Sequence, residues 1–325
     1  MKAPAFWERQ GWRSKALLPV AALYGAVSRA LRRRQAAYDA PIPVFCVGNL
    51  TAGGAGKTPT VIKIIQLLQE AGAVVHAVSR GYGGSEAGPL AVEVSTHEAA
   101  QVGDEPLLIA SYAPTWIARD RAAGVKAAVK AGAEVVILDD GFQNPSVAKD
   151  LSFVVVDGGY GFGNGRGIPA GPMREGVEEG MARADALILI GEPSNPWPDM
   201  FHGKPVLRTS FEARFSGISL DGARVLAFAG IGRPEKFFET VRQQGATIVD
   251  SEAFPDHFAY NQPLIDRLMA RAEAQDLMIV TTEKDAVKLP KGTLGKIWPL
   301  PVDLVFDDQS ELESLLSVFT TQSQY

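Results

Sequence analysis

The sequence predicts an α/β protein built on a largely parallel sheet, followed by a second, smaller unit of the same kind. Two observations lead to this prediction. Short apolar runs of strand length alternate with segments of helical period along most of the 325 residues, and such alternation is typical of βα units. Glycine-rich or polar loops directly follow several of these runs, as they do where ligands bind at the carboxyl ends of parallel strands.

Residues 45–63, FCVGNLTAGGAGKTPTVIK, organise the chain. An apolar run, a glycine-rich turn and an apolar-periodic segment follow one another, which is the strand–loop–helix context of a phosphate-binding loop. Lys57 would reach the β- and γ-phosphates of a nucleotide, and the Thr58 hydroxyl would bind Mg²⁺. The usual pattern has glycine at position 51, where this chain has Thr51. We predict a P-loop NTPase-like domain whose nucleotide is held by Thr51, Ala52, Gly53, Gly54, Ala55, Gly56, Lys57 and Thr58.

The run EVVILDD at 134–140 supports this prediction. Four apolar residues that end in Asp139 describe a buried parallel strand with a carboxylate at the edge of the sheet. In P-loop proteins this aspartate holds Mg²⁺, directly or through water. The sequence therefore predicts a nucleoside triphosphate with Mg²⁺. The Asn-Lys-x-Asp loop that usually accompanies GTP specificity is missing from the sequence, so ATP is favoured.

Composition limits the compartment and the partners. The single cysteine, Cys46, lies in the apolar run before the phosphate loop, which excludes a disulfide framework and fits a reducing compartment. We expect Cys46 to be a small buried hydrophobe. The net charge is −5, yet residues 1–38 hold eight lysines and arginines against Glu8 alone. No basic, aromatic-interleaved surface follows, so we expect no nucleic-acid partner.

The basic N-terminal arm admits two interpretations. Its apolar run, 16–27, is too short to span a bilayer, which takes about 20 residues, and no signal-peptide cleavage site follows it. After Pro19 the spacing is helical, and a basic amphipathic helix with tryptophans upstream suits a membrane surface. Alternatively, the helix packs on the domain with a solvated arginine face. The apolar face comprises Val20, Leu23, Tyr24, Val27 and Leu31, and the basic face Arg29, Arg32 and Arg33.

The rest of the first unit continues the alternation. Strands are predicted at 73–78, 92–94, 115–118, 153–156, 186–190 and 206–211, and helices at 107–112 and 122–131. His76 lies within a predicted strand and is expected in the core. The glycine-rich run 158–171 leads into Pro172–Gly176, which we interpret as a mobile flap over the site, because so much glycine costs order unless motion or close approach requires it.

The second unit repeats the pattern without a phosphate loop. Strands are predicted at 225–229, 247–249 and 277–280, with helices ending at Arg242 and over 263–274. This indicates a smaller Rossmann-like domain. The predicted organisation is therefore an N-terminal helix in 1–38, a P-loop domain in 39–214 with its flap at about 145–176, and the smaller domain in 215–325.

Eight stretches, taken together, resemble the tetraacyldisaccharide 4′-kinase family of lipid A synthesis. They occur in order across nearly the whole chain, and Thr51 in place of glycine is typical of that family. The stretches are GNLTAGGAGKTP (48–59), SRGYGG (79–84), GDEP (103–106), DDGFQN (139–144), GRGIPAGPMREG (165–176), AGIGRP (229–234), FPDHFAY (254–260) and TTEKDAVKL (281–289).

The resemblance implies transfer of the γ-phosphate of ATP to the 4′-hydroxyl of a tetraacylated glucosamine disaccharide 1-phosphate. The acyl chains of that lipid stay in the membrane, so it favours an interfacial N-terminal helix, peripheral or monotopic, at the cytoplasmic face of the bacterial inner membrane. It says nothing of oligomeric state.

The resemblance also implies roles for individual residues. Asp104 matches the general base and His257 its dyad partner, and domain closure would be needed to bring these distant positions together. Asp139 matches a Mg²⁺ carboxylate together with Thr58, and Asp140 an active-site carboxylate. Arg174 and Glu175 match the flap segment near the phosphates. Arg121 is a further candidate, although Arg119 is equally well placed.

Two other functions remain open from the sequence. The first is a P-loop NTPase that drives metal insertion or protein targeting, which would not need Asp104 or His257. The single cysteine and four scattered histidines offer no zinc or nickel site. The second is a membrane-bound nucleotide-sensing module, which would bind ATP without phosphorylating a lipid.

Overall fold

The computed structural model describes residues 4–34, 38–194, 201, 203–214, 217–293 and 295–320. The predicted α/β fold class is confirmed by a nine-stranded, mainly parallel sheet and a separate four-stranded parallel sheet. Within the described residues, no helix has the length and apolar character needed to cross a membrane.

The large sheet has the strand order β13-β8-β7-β6-β1-β5-β2-β4-β3. Only its two edge strands, β3 and β13, pair antiparallel. Its strands are β1 (Val44–Gly48), β2 (Val75–Ser79), β3 (Leu90–Ala91), β4 (Thr115–Ile117), β5 (Val135–Asp139), β6 (Leu151–Asp157), β7 (Ala186–Ile190), β8 (Val206–Ala213) and β13 (Val302–Phe306). The smaller sheet is formed by β9 (Arg224–Ala229), β10 (Thr247–Ala253), β11 (Met278–Thr282) and β12 (Ile297–Leu300).

Helices cover both faces of the large sheet, and local sequence explains where several of them begin. Asp120 accepts hydrogen bonds from the amides of Ala122 and Ala123, which caps α6. Asn261 caps α9 in the same way. The helices are α1 (Trp12–Ala16), α2 (Leu18–Arg34), α3 (Lys57–Glu70), α4 (Ala99–Val102), α5 (Asp104–Ala110), α6 (Arg121–Lys130), α7 (Val177–Met181), α8 (Pro234–Gln243), α9 (Gln262–Glu273), α10 (Glu283–Ala286) and α11 (Gln309–Thr320).

Strand alternation divides the core of the large sheet into two layers. Phe45 and Val47 face α3, while Val44 and Cys46 face the layer that contains α6. The α3 side chains at 61, 64, 65 and 68 are all buried, as their helical spacing requires. Cys46 is a free, buried thiol and His76 is buried in β2, so both were predicted correctly.

The C-terminal residues return to the large sheet. The strand β13 pairs with β8, and Leu312 and Leu316 of α11 are buried against the α3 layer. The sequence prediction had placed 215–325 together in the smaller domain, because residues 302–320 carry no signal of the sheet they join. The division into domains otherwise stays a prediction.

The N-terminal arm is attached to the glycine-rich segment through buried polar contacts. The Ser14 hydroxyl donates to the Ala170 carbonyl at 2.6 Å, and the Asn164 amide nitrogen donates to Ser14 Oγ at 3.0 Å. The Trp7 indole donates to the Pro169 carbonyl at 3.0 Å. A Cβ at Gly171 would lie 2.0 Å from Asn164 Oδ1, so close approach requires this glycine.

Most of α2 lies on the surface. Ala21 is its one buried hydrophobic residue among those whose side chains are described, and Arg29 forms an ion pair with Glu179 at 3.7 Å. Leu23 is 66% exposed, and Leu18, Val20, Tyr24 and Val27 are exposed with it. The predicted apolar face therefore points to solvent from Val20 to Val27, while the side chains of Leu31 and of the arginines at 32–34 lie outside the described residues.

Candidate active site

The phosphate loop lies between β1 and α3, as the sequence predicted. Gly56 immediately precedes α3 with a φ of 91°, a left-handed conformation that glycine adopts without strain. A Cβ there would also lie 2.3 Å from Ile190 Cδ1. Thr51 and Ala52 are not free loop residues, because Thr51 pairs with Met173 and the Ala52 amide donates to the Pro172 carbonyl at 2.8 Å. The first amides of α3 are left to bind an anion.

Two aspartates follow β5 at the carboxyl edge of the sheet. Asp139 is fully buried, and its Oδ2 accepts a hydrogen bond from the Ser79 hydroxyl at 3.0 Å. Its Oδ1 has no hydrogen-bond partner. Asp140 adopts a left-handed φ of 51°, and its Oδ1 lies 3.7 Å from Lys57 Nζ and 2.7 Å from Arg174 Nη1. The pair thus places one carboxylate in the core and the other among cations.

Arg174 and Glu175 belong to one polar network beside the phosphate loop. Gln143 connects them, because its Oε1 accepts from Arg174 Nη1 at 3.2 Å and its Nε2 donates to Glu175 Oε1 at 3.0 Å. Gln143 Nε2 also donates to the Asn49 carbonyl at 2.8 Å. Arg183 forms an ion pair with Glu175 and packs over the Phe142 ring. The Glu175 side chain is almost fully buried, so it forms the buried end of this network and fixes the orientation of Gln143 and Arg183.

Asp104 and His257 are in contact although 153 positions separate them. His257 Nδ1 lies 2.9 Å from Asp104 Oδ1 and 3.0 Å from Oδ2. Asp104 begins α5 and is 4% exposed, whereas 31% of the His257 side chain is exposed. His257 has a left-handed φ of 58°, and its ring lies 5.5 Å from that of Tyr82. Such strained backbone is typical of functional positions.

Two lysines of the smaller unit approach Asp104. Lys284 Nζ lies 3.0 Å from Glu105 Oε1, 3.4 Å from Asp256 Oδ1 and 4.0 Å from Asp104 Oδ2. Lys288 Nζ lies 3.7 Å from Asp104 Oδ2. The pair is therefore embedded in a dense set of charges contributed by both units.

These surroundings shift the protonation of the pair in opposite directions. Burial alone would raise the pKa of Asp104, but the hydrogen bond from His257 and the charge of Lys284 lower it to about 2. The hydrogen bond to Asp104 raises the pKa of His257, against the effect of burial. Asp104 is therefore an anion throughout the physiological range, and His257 holds its second proton more readily than a free histidine does.

The pKa of the Asp139 carboxyl is shifted upwards, in contrast to that of Asp104. Burial, followed by the charges of Glu105 and Asp140, raises its pKa. A bound cation would oppose this effect, because it favours the ionised carboxylate.

Arg121, unlike Arg119, is buried within the electrostatic influence of the two aspartates. It is 3% exposed at the start of α6, and the charges of Asp139 and Asp140 act on it. Arg119 instead donates to the Ser85 carbonyl at 3.3 Å. The two positions that the sequence could not separate thus have different surroundings.

The chain's own donors suit Mg²⁺ bound together with phosphate. The orphaned, buried Oδ1 of Asp139 and the buried Thr58 at the start of α3 are oxygen donors, which Mg²⁺ prefers. Within the described residues no group of three or more His, Cys, Asp or Glu side chains could hold a metal by itself. Nucleotide oxygens and water would therefore complete the coordination, as is usual for Mg²⁺.

The structure brings most of the predicted site residues into two groups, one around Asp140 and one around Asp104. Sequence reasoning missed several residues that contact them, among them Ser79, Gln143, Arg183, Lys284 and Lys288. Of these, all but Arg183 lie in stretches that had been singled out. Arg183 follows a short helix and has no local signal.

Known proteins resemble this chain over nearly its whole length. The model of the tetraacyldisaccharide-1-P 4′-kinase family matches residues 13–320. The tetraacyldisaccharide 4′-kinase of Dinoroseobacter shibae is 49% identical over 97% of each chain. That of Rhodospirillum centenum is 50% identical over 98% of this chain and 96% of its own. The crystal structure of LpxK from Aquifex aeolicus in complex with ATP superposes with a TM-score of 0.75 and 27% identity, over 94% of this chain and 99% of that one.

Proposed function

The chain belongs to the tetraacyldisaccharide-1-P 4′-kinase family, and from this premise we propose how its residues perform the reaction. The enzyme uses ATP to phosphorylate the 4′-hydroxyl of a tetraacylated glucosamine disaccharide 1-phosphate in lipid A synthesis. The observation that carries the proposed mechanism is the contact between Asp104 and His257 across the two units. A hydrolase or a nucleotide sensor has no need of a base for an acceptor hydroxyl.

In this mechanism Asp104 and His257 act as a single base. The pair takes the proton of the 4′-hydroxyl as its oxygen attacks the γ-phosphorus, and the bond from that phosphorus to the β,γ-bridging oxygen breaks to release ADP. Because Asp104 and His257 interact strongly, their protonation is coupled and the pair titrates as a unit. His257 is the more exposed member and Asp104 the more buried one, so Asp104 also fixes the orientation of the imidazole.

The phosphate loop and its cationic neighbours hold and neutralise the transferring group. Lys57 and the amides of residues 53–58 bind the phosphates, and Arg174 and Arg121 offset the charge that develops in the transition state. Asp140 keeps Lys57 and Arg174 in place through its two ion pairs. Thr58 and Asp139 would hold Mg²⁺, which would supply positive charge to offset that of the phosphates.

We further propose that α1 and α2 lie on the cytoplasmic face of the inner membrane. Trp12 is 75% exposed, and the exposed apolar side chains of α2 follow it on the same arm. The basic residues of 1–38 complement anionic headgroups, at about 1 kcal/mol each close to the surface. The lipid substrate resides in that same surface, so the arm would bring the site to its acceptor.

The kinase mechanism is tested by following labelled γ-phosphate from ATP to a tetraacyldisaccharide 1-phosphate in mixed micelles. We expect wild type to label the lipid and Asp104→Ala to lose at least about 100-fold in kcat, since general-base catalysis supplies a factor of this size. ATP binding should persist, because Asp104 lies outside the phosphate loop.

Asp266→Ala provides the matched control, since Asp266 is an exposed aspartate of α9. Its rate should equal that of wild type. Full activity in Asp104→Ala would refute the assigned base, and ATP hydrolysis without labelled lipid in wild type would favour an NTPase.

The membrane surface is tested by co-sedimentation with anionic and with zwitterionic vesicles. Leu23→Glu should abolish binding to anionic vesicles, because it places a charge at the centre of the exposed apolar face. Val318→Glu is the control, since Val318 is 62% exposed on α11. Equal sedimentation of both variants would exclude this face of α2 as the contact.

A further inference from the structure

Lys288 is a buried cation between two carboxylates of different units. Only 4% of its side chain is exposed, and its Nζ lies 2.8 Å from Asp285 Oδ1 and 3.7 Å from Asp104 Oδ2. The Tyr260 ring centroid lies 5.4 Å from the same nitrogen. A lysine so far from water keeps its charge only when carboxylates compensate for the lost hydration. Both anions therefore matter for Lys288.

Asp285 is the fixed end of this arrangement. It is fully buried and accepts hydrogen bonds from the Gly230 amide at 2.9 Å, the Tyr260 hydroxyl at 3.0 Å and the Thr282 hydroxyl at 2.6 Å. With Lys288 added, the capacity of the carboxylate is filled. Asp285 is thus held rigidly within the smaller unit and fixes the position of the Lys288 ammonium.

The free end of the arrangement is Asp104. Lys284 lies nearer to Glu105 and Asp256 than to Asp104 and is 18% exposed, so it acts on three carboxylates at once, Asp104 among them. Lys288 lies 3.7 Å from Asp104 Oδ2, and only 4% of its side chain is exposed, against 31% for His257. A buried ion pair is by itself weak evidence for a stabilising role, which leaves the arrangement of Asp104 as a role to test for Lys288.

The same lysine is connected to the loop that approaches the phosphates. Lys288 Nζ donates to the Gly230 carbonyl at 3.4 Å. Two residues on, a Cβ at Gly232 would lie 3.9 Å from the Gly54 amide nitrogen of the phosphate loop. Asp285 and Lys288 therefore hold the loop at Gly230, which leads to the phosphate loop, and Lys288 also lies beside Asp104.

We infer that Lys288, fixed by Asp285, is a positioning residue for phosphoryl transfer that holds the Asp104 carboxylate against His257 when the two units meet. The inference rests on the proposed role of Asp104 and His257 as the base. The Lys288 ammonium lies against Asp285, Asp104 and the Gly230 carbonyl, so its effect on the reaction would pass through Asp104.

Removing the Lys288 charge and removing the Asp285 charge should shift the pH at which the base is protonated in opposite directions. Loss of Lys288 removes a positive charge beside the dyad, so protons bind the dyad more readily and the acid limb of kcat/KM moves to higher pH. Loss of the Asp285 charge frees Lys288 to act on Asp104, so the limb moves to lower pH. The charged and titratable groups that face Asp104 and Lys288 are His257, Lys284, Glu105, Asp256, Asp285 and Tyr260.

The test is the pH profile of labelled phosphate transfer in mixed micelles, with the full chain. Lys288→Met should lower kcat at least tenfold, leave the KM for ATP within twofold, and raise the midpoint of the acid limb by about one pH unit. Asp285→Asn should lower that midpoint. Lys288→Arg, which keeps the charge, should restore it to the wild-type position.

Lys291→Met is the matched control, since Lys291 is an exposed lysine three positions further on, and its profile should not move. A protein in which Lys288 is merely structural would lose rate and thermal stability in both variants without opposite shifts, and that result would overturn the inference. If Asp104→Ala itself kept the wild-type rate, the proposed base would fail instead. The two failures are therefore distinguishable.

Discussion

At the scale of single residues, Asp139 illustrates a conflict between stability and function. Its carboxylate is fully buried, one oxygen is bonded to Ser79 and the other has no hydrogen-bond partner. A buried charge without full compensation destabilises a fold, and active sites commonly keep such groups. The half-satisfied state of Asp139 is explained if a cation completes its bonding during the reaction.

We expect Asp139→Asn to stabilise the nucleotide-free protein while abolishing most activity. Replacing the charge by an isosteric amide should raise the free energy of unfolding by about 1 kcal/mol at pH 8, and kcat should fall at least about 100-fold. Thermal unfolding without nucleotide and a Mg²⁺ titration of the rate measure the two effects.

Asp185→Asn is the control for this prediction. Asp185 accepts the Ser152 amide at 2.7 Å at the opposite end of the parallel strands, so activity should persist there. Lower stability in Asp139→Asn would mean that the carboxylate is already compensated in the absence of nucleotide.

At the scale of elements, a chain of hydrogen bonds connects the N-terminal arm to the phosphate loop. Ser14 and Asn164 join α1 to the segment that ends at Met173, and Met173 pairs with Thr51 of the phosphate loop. The Arg174 amide then donates to the Leu50 carbonyl at 2.8 Å. Buried hydrogen bonds thus connect the arm that carries the exposed apolar face to the loop that binds phosphate.

Ser14→Ala should loosen this connection. Three groups lose a hydrogen-bond partner, namely the Ala170 carbonyl, the Asn164 side-chain amide and the Arg166 guanidinium. The free energy of unfolding should therefore fall by about 2 kcal/mol. Hydrogen exchange should speed up at the backbone N–H of Asn164, which donates to the Trp7 carbonyl at 2.7 Å.

Ser28→Ala, on the surface helix α2, should leave exchange unchanged. If the backbone N–H of Asn164 exchanged at the wild-type rate in Ser14→Ala, the segment from Asn164 to Met173 would be held in place without the arm.

The same elements mark the limit of what sequence patterns predict. Asp139 and the phosphate loop were predicted because each directly follows an apolar strand, and the carboxyl ends of parallel strands lie together at one edge of the sheet. The pairing of Asp104 with His257 as a dyad came from the resemblance alone, and the sequence left open whether the two side chains touch, since no local pattern connects residues 153 positions apart. Arg183 and β13 were missed because their partners, Glu175 and β8, are determined by packing of the whole chain.

At the scale of the whole molecule, ion pairs on two sides hold the smaller unit against the large sheet. On one side, Asp157 at the end of β6 binds Arg233 at 2.8 Å and Lys236 at 2.7 Å. On the other side, Lys284 binds Glu105 at 3.0 Å. Both cations of the first side lie at the start of α8, where the helix dipole disfavours positive charge. Asp157 offsets that cost only while the units are together.

We expect Asp157→Asn to open the molecule slightly and weaken ATP binding. Arg233 and Lys236 are 40% and 43% exposed, so solvent screening limits each pair to about 1 kcal/mol or less. The KM for ATP should therefore rise by no more than about tenfold, and the radius of gyration from solution scattering at pH 8 should increase. Asp308→Asn, on an exposed turn, should change neither quantity.

The pH dependence of this contact has a definite sign. Burial alone would raise the pKa of Asp157, but hydrogen bonds and charge from Lys236 and Arg233 lower it below its usual 3.8. A carboxyl whose pKa is lowered in the folded state stabilises it above the unfolded pKa and loses that contribution as the pH falls through the folded value. The contact should therefore be complete at neutral pH, begin to weaken below about pH 4, and be lost as the pH falls through the lowered folded value. Scattering that changes equally with acid in wild type and Asp157→Asn would assign the opening to other carboxylates, with Glu105 on the opposite side as the first to test.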